Sequence, residues 1–366
     1  METPPPPLDA LDPQRFEHPR LLKLVAAASR QLAELKGLVA SIPNEAILIN
    51  TLALQEAKDS SAVENIVTTH DELFRDAASA LDETSLAGKE VLRYRQALQV
   101  GWRLVTTTGL LTNNHLLEVH SRLELNRAGF RKVPGTALRE AETGRVVFTP
   151  PQDAATIVAA MGDLERFLNA TPAYPVDPLI RMALAHHRFE TIHPFYDGNG
   201  RTGRILNVLY LVKEGLLDLP VLYLSRHIVR TKGEYYALLQ AVRDDDRWED
   251  WVAYMLEAVE GTAREGITVV GAIRTALFEV KHEIRQRHAF YSQDLINNLF
   301  SHPYTKVQFV MESLGVSRIT ATKYLDALVQ DGILERLKVG RTNYYLNVRL
   351  VRILTGAPQA AELPSA

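Results

Sequence analysis

Cysteine is absent from all 366 residues. That removes disulfides, thiolate nucleophiles and cysteine-held metals, and it permits a reducing compartment. No apolar run approaches the roughly eighteen residues that would suggest a membrane span. The start, METPPPPLDALDPQ, lacks the apolar stretch of a secretory leader. The expectation is therefore a cytoplasmic chain with no membrane association. A dominant charge is missing as well, since the net charge is −3, so composition does not point to nucleic acid or an acidic membrane surface as the main partner. The one asymmetry lies in Lys281 to Ala366, where eleven Lys and Arg face seven Asp and Glu. Nucleic acid thus remains open for the tail alone. With 46% hydrophobic residues, the chain is long enough for a sizeable core and two or three domains.

What is present is mostly helical periodicity. Residues 1 to about 18 are expected to be a flexible arm, because Pro4 to Pro7 favour extended backbone and offer little to bury. From Arg20 the pattern LLKLVAAASRQLAELKGLVASI is that of a bundle helix ending before Pro43. Helix signals continue from Asn44 through LQEAKDSSAVENIVTTHDELF, and again around EVLRYRQALQVGWRLV and NNHLLEVHSRLEL. His115 and His120 in the last stretch are expected at the surface or its boundary. Val133 to Pro151 breaks the period, and Gly144 followed by Val146, Val147 and Phe148 predicts a short hairpin. Helix returns at DAATIVAAMGDLERFLN, then as a pair over VLYLSRHIVRTKGEYYALLQAV, then as one long helix opening on DDDRWEDW.

The chain is organised around twelve residues, His193 to Arg204, HPFYDGNGRTGR. Asp177-Pro178 marks a helix start, and Pro194 stops that helix. A second, almost wholly apolar and therefore buried helix resumes near Arg201. Between them, Asp197-Gly198-Asn199-Gly200 lets backbone approach a ligand, and free N–H groups at a helix start form an anion cradle. Arg201 and Arg204 add charge, so a di- or triphosphate is the expected occupant. His193 is the side chain there that accepts a proton near neutral pH, which makes it the candidate general base toward a hydroxyl. Asp197 suits a Mg²⁺ that bridges phosphates. Phe195 reads as a packing anchor. A zinc site of His186, His187 and His193 has neither zincin spacing nor cysteine support. These residues leave open whether attack falls on the α- or the γ-phosphorus.

The stretch matches the motif HPFx[D/E]GNGRxxR of the Fic family at every specified position, and the chain resembles that family over nearly all of residues 20 to 350. The resemblance implies a mainly α fold: a Fic helical bundle with a hairpin flap and a C-terminal winged helix-turn-helix. It also implies transfer of AMP from ATP to a Ser, Thr or Tyr hydroxyl of a target protein, or of the chain itself. His193 then takes the base role and Asp197 the Mg²⁺ role. Gly198, Asn199, Gly200, Arg201, Thr202, Gly203 and Arg204 bind ATP, and Tyr235 lines the nucleotide pocket. Ser60-Ser61-Ala62-Val63-Glu64-Asn65 fits the family's inhibitory motif [S/T]xxxE[G/N]. Ser60, Glu64 and Asn65 are accordingly the inhibitory residues, with Glu64 pairing Arg204. The flap is expected to dock the target as an added strand.

From Tyr291 the order is helix, helix, a turn at Gly315, a helix over Ser317 to Val329, and a ribbon around Gly340. Ser317, Arg318, Thr320, Thr322 and Lys323, with Lys338, Arg341 and Asn343 at the ribbon tip, suit phosphate and base contacts across residues 285–352. Dimerisation, with a homodimer as the outcome, or target docking through this unit stays open. The expected division is 1–80 for the inhibitory segment, 81–265 for the Fic core and 266–366 for a linker helix with the winged helix. The alternatives are a nucleotide-sensing DNA-binding regulator and a hydrolase that removes AMP at the same site.

Overall fold

The computed structural model describes residues 6–78, 84–140, 143–169, 174–340 and 342–356. Two helices form its spine. Helix α1 (Pro19–Val39) packs along α11 (Trp248–Arg287), which runs through residue 265 without a break. Against this pair lies α2 (Glu45–Val63), started by the Asn44 side chain accepting from Ala46 N. Its buried residues lie on every side, because α4 (Leu86–Thr108), α9 (Leu224–Arg230) and α12 (Gln293–Ser301) of the C-terminal unit all pack on it. A capping box of Thr69 and Glu72 opens α3 (His70–Ala77). Helix α4 (Leu86–Thr108) ends on left-handed Gly109, and α5 (Asn113–Glu124) follows.

The predicted hairpin is present as β1 (Leu138–Arg139) antiparallel to β2 (Val146–Phe148). Helix α6 (Ala154–Asn169) leads to the central antiparallel pair α7 (Pro178–Ile192) and α8 (Asn199–Lys213). Asp177 caps α7 and Pro178 opens it, as the sequence predicts. In α8 all residues from Arg201 to Val212 are buried, the fate of a helix with no polar face. Helices α9 (Leu224–Arg230) and α10 (Lys232–Asp245) close the bundle.

The C-terminal unit holds α12 (Gln293–Ser301), β3 (Tyr304–Thr305), α13 (Val307–Leu314), α14 (Arg318–Gln330), β4 (Leu334–Val339), β5 (Thr342–Asn347) and α15 (Val348–Thr355). The strands pair in the order β3-β5-β4, all antiparallel. The two-stranded ribbon expected from the sequence therefore has a third strand, only two residues long and too short to leave a periodic signal.

The N-terminal arm departs from expectation. Residues 1–5 lie outside the described residues, but Leu8 and Phe16 are buried in the bundle. Arg15 donates to Glu249 and Asp246, and Arg188 donates to the Pro6 carbonyl. Two apolar side chains and one arginine in a proline-rich stretch suffice to dock it. No helix among the described residues is long and apolar enough to cross a membrane.

Candidate active site

The site is the crossing from α7 to α8. Helix α7 ends on His193, whose backbone is left-handed (φ 48°), an unusual state for a residue with a side chain. The turn that follows is closed by Asn199, which accepts from Phe195 N and donates to the Phe195 carbonyl, both at 2.8 Å. Helix α8 begins at Asn199, two residues before the predicted start, so Asn199 and Gly200 belong to its first turn. Their N–H groups are thus among the unpaired donors of a helix N-terminus. Gly198 sits at φ 70°, and Thr202 Oγ1 donates to its carbonyl.

Both arginines are buried and ion-paired. Arg204 Nε donates to Ser60 Oγ at 2.8 Å, and Nη2 donates to the Ser60 carbonyl at 2.9 Å and to Glu64 Oε1 at 2.8 Å. Burial opposes its charge most strongly, but Glu64, together with Tyr94, Tyr235 and Glu190 around it, outweighs that and raises the Arg204 pKa. The other Glu64 oxygen, Oε2, stands 2.8 Å from Arg201 Nε, a contact of charges and not an aligned hydrogen bond. Glu64 therefore straddles both arginines, where the sequence pointed only to Arg204. Arg201 also meets Glu90 at 3.0 Å and Glu124 at 2.9 Å. Asn65, left-handed at φ 64°, ends this turn and accepts from Lys232 Nζ.

Burial, with Arg131 and Arg243 nearby, pushes the His193 pKa down to about 4. Its imidazole is neutral at pH 7 and open to a proton. Asp197 is exposed at the loop tip, and its Oδ1 accepts from Gly198 N. Phe195 is an anchor, fully buried and stacked on His120 with ring centres 3.7 Å apart.

Several side chains are placed otherwise than expected. His120 is buried, and its Nε2 donates to the Asp197 carbonyl, so it supports the loop from below. The Asn199 and Thr202 side chains are spent inside the turn, and the Thr202 N–H is spent too, on the Gly198 carbonyl, so the backbone at the helix start is what Asn199 and Gly200 offer a ligand. Tyr235 is 2% exposed and its OH bonds His186 Nε2, behind the site, whereas Tyr236 is 49% exposed. Neighbouring residues on a helix point about 100° apart, so the face that α10 turns to the bundle decides which tyrosine is outward, and no pattern in the sequence marks that face. Arg131 escaped notice altogether: Nε donates to the His193 carbonyl and Nη2 to the Pro151 carbonyl, tying the base of the hairpin to the α7–α8 turn. An arginine in a non-helical stretch carries no pattern that would flag it. On the flap, the Arg243 guanidinium lies 3.9 Å from the Phe148 ring centre.

In the C-terminal unit Arg318, Lys323, Lys338 and Asn343 are exposed. Ser317 Oγ caps α14 and Thr322 Oγ1 donates to the Arg318 carbonyl, so those hydroxyls are used locally. Arg341 lies outside the described residues.

A helix N-terminus with a glycine loop, two buried arginines and a neutral histidine come together in a mainly helical bundle, an arrangement suited to phosphate beside a proton acceptor. Comparison places it more narrowly. Residues 22–103 match the Fic/DOC family N-terminal segment, 110–211 the Fic/DOC family, and 277–350 the C-terminal domain described as protein adenylyltransferase SoFic-like. The chain belongs to the Fic family. It is 26% identical over 196 residues to protein adenylyltransferase fic-1 of Caenorhabditis briggsae, covering 52% of this chain and 36% of that protein. With protein adenylyltransferase Fic of Culex quinquefasciatus it shares 30% identity over 159 residues, 43% of this chain and 30% of that one. The chain thus spans about a third of the length of these curated relatives. In fold it is similar to a Fic family protein from Desulfovibrio desulfuricans G20, with TM-score 0.54 and 21% identity over 90% of this chain and 96% of that one.

Proposed function

We propose that the chain is a protein adenylyltransferase, transferring AMP from ATP to a Ser, Thr or Tyr hydroxyl of a target protein, and that its own Glu64 holds it in check. The observation that supports this most is the Glu64 carboxylate with one oxygen toward each of Arg201 and Arg204. A carboxylate there takes the guanidinium donors that the outer phosphates need. In the transfer step the target oxygen bonds the α-phosphorus while the bond to the α,β-bridging oxygen breaks. Pyrophosphate leaves with that electron pair, and the hydroxyl proton passes to His193.

Asp197 offers one exposed carboxylate beside the cradle, which suits Mg²⁺ held through one carboxylate plus phosphate oxygens. Bound there, the ion would offset phosphate charge. The flap, with Val146 and Val147 exposed on β2, offers a strand for a target segment to extend.

The test is AMP incorporation from α-labelled ATP by wild type, Glu64→Gly and Glu64→Gly/Arg204→Ala. A charge-assisted pair contributes about 1.5–3 kcal/mol, so Glu64→Gly is expected to gain roughly tenfold or more, and the double variant to lose that gain. Equal rates for Glu64→Gly and wild type would remove the autoinhibitory role. Loss of an AMP-removing activity in Glu64→Gly would instead place Glu64 in hydrolysis.

A further inference from the structure

We propose that Glu90 and Glu124 are positioning residues that hold the Arg201 guanidinium toward the phosphate cradle independently of Glu64. This deepens the function proposed above and rests on its nucleotide-binding part. The two arginines are held differently. The hydrogen bonds and ion pair described for Arg204 come from Ser60 and Glu64, both at the end of α2. Arg201 has Glu64 on Nε, but Nη1 donates to Glu90 on α4 and Nη2 pairs with Glu124, the last residue of α5. Both of those helices pack directly on α8.

If the end of α2 withdraws, Arg204 loses the partners described here while Arg201 keeps two. Glu90 and Glu124 leave the Nε–H and a second N–H on each terminal nitrogen for phosphate oxygens. A guanidinium already fixed in place loses little rotamer freedom on meeting its ligand. The loop is shaped around this contact: a Cβ on Gly198 would lie 2.3 Å from Glu124 Oε1. Glu124 thus lies against the Cα of Gly198, while the Gly198 N–H is already bonded to Asp197. The carboxylate braces the loop from the side and does not fill the row of N–H groups at the start of α8.

The alternative, that Glu124 and Glu90 compete with phosphate as Glu64 does, predicts the opposite sign. The full chain carrying Glu64→Gly is titrated calorimetrically with ATP and with adenosine, then compared with the same chain bearing Glu124→Gln or Glu90→Gln, each also combined with Arg201→Ala. Expected is ATP binding weaker by roughly tenfold for each glutamine variant, adenosine binding unchanged, and no further loss where Arg201 is already alanine. Unchanged or tighter ATP binding overturns the proposal. So does an equal loss in the Arg201→Ala chain, since the carboxylates would then act through the fold and not through Arg201. No ATP binding by Glu64→Gly itself overturns the nucleotide reading and this proposal together. ATP binding without AMP transfer overturns only the reaction assigned above.

Discussion

His193 shows how one residue combines strain, burial and charge. Its left-handed backbone turns the ring out of the end of α7, and burial with the charges of Arg131 and Arg243 disfavours the imidazolium. The sign follows: the neutral, proton-accepting form persists until pH falls to about 4, well below the usual histidine range. The acid limb of kcat/KM is therefore expected near that value, with no loss traceable to His193 between pH 5 and 8. Arg243→Met should move the limb upward. His193→Ala should abolish transfer with ATP binding retained, by rate measurement and calorimetry. A limb at the ordinary histidine pKa in wild type would contradict the burial argument. His193, Arg201, Arg204, Asp197 and Glu64 were legible because they sit in contiguous motifs. His120, Arg131, Glu90 and Glu124 were not, since each acts through a partner 62 to 111 residues away, or 77 away for Glu124, and no local spacing encodes that.

Among elements, the long periodic helices and their caps were readable: Asp177-Pro178 starts α7, and the apolar run of α8 goes to the centre. Helix α2 was readable as a helix but not as a buried one, because Gln55, Glu56 and Asp59 look like a solvent face. Here the fold supplies the partners. Glu56 accepts from Tyr94 OH and from the Ser225 backbone N–H and pairs with the Ser225 hydroxyl, and burial pushes its pKa up to about 8. Asp59 accepts from Arg226. The N-terminal arm was misread for the converse reason, since proline-rich composition masks two anchoring side chains. Phe16→Ala should therefore cost stability as a core truncation does, about 3–5 kcal/mol, measured by urea unfolding. A loss of a few tenths would mean that the arm only rests on the surface.

At the scale of the whole molecule, the C-terminal unit is braced against the helix that leads to Glu64 and against α3 after it. Gln55 of α2 donates to the Leu354 carbonyl, and Tyr304 donates to Asp71 of α3 and packs its ring near Phe74 of the same helix. The order of elements in this unit was visible from the sequence, but its seat on α2 was not, because no pattern reports which faces of distant helices meet.

Helix α11 has a calorimetric consequence. Its 40 residues make an unbroken rod of about 60 Å, with α1 and α7 packed along it and α12 and α15 docked on it. A rod shared by both parts of the molecule cannot fray in one without exposing apolar surface in the other. Melting is therefore expected as one endotherm whose van't Hoff and calorimetric enthalpies agree, despite a length at which chains commonly melt in stages. Two resolved peaks would show that the rod breaks in the middle before either half gives way.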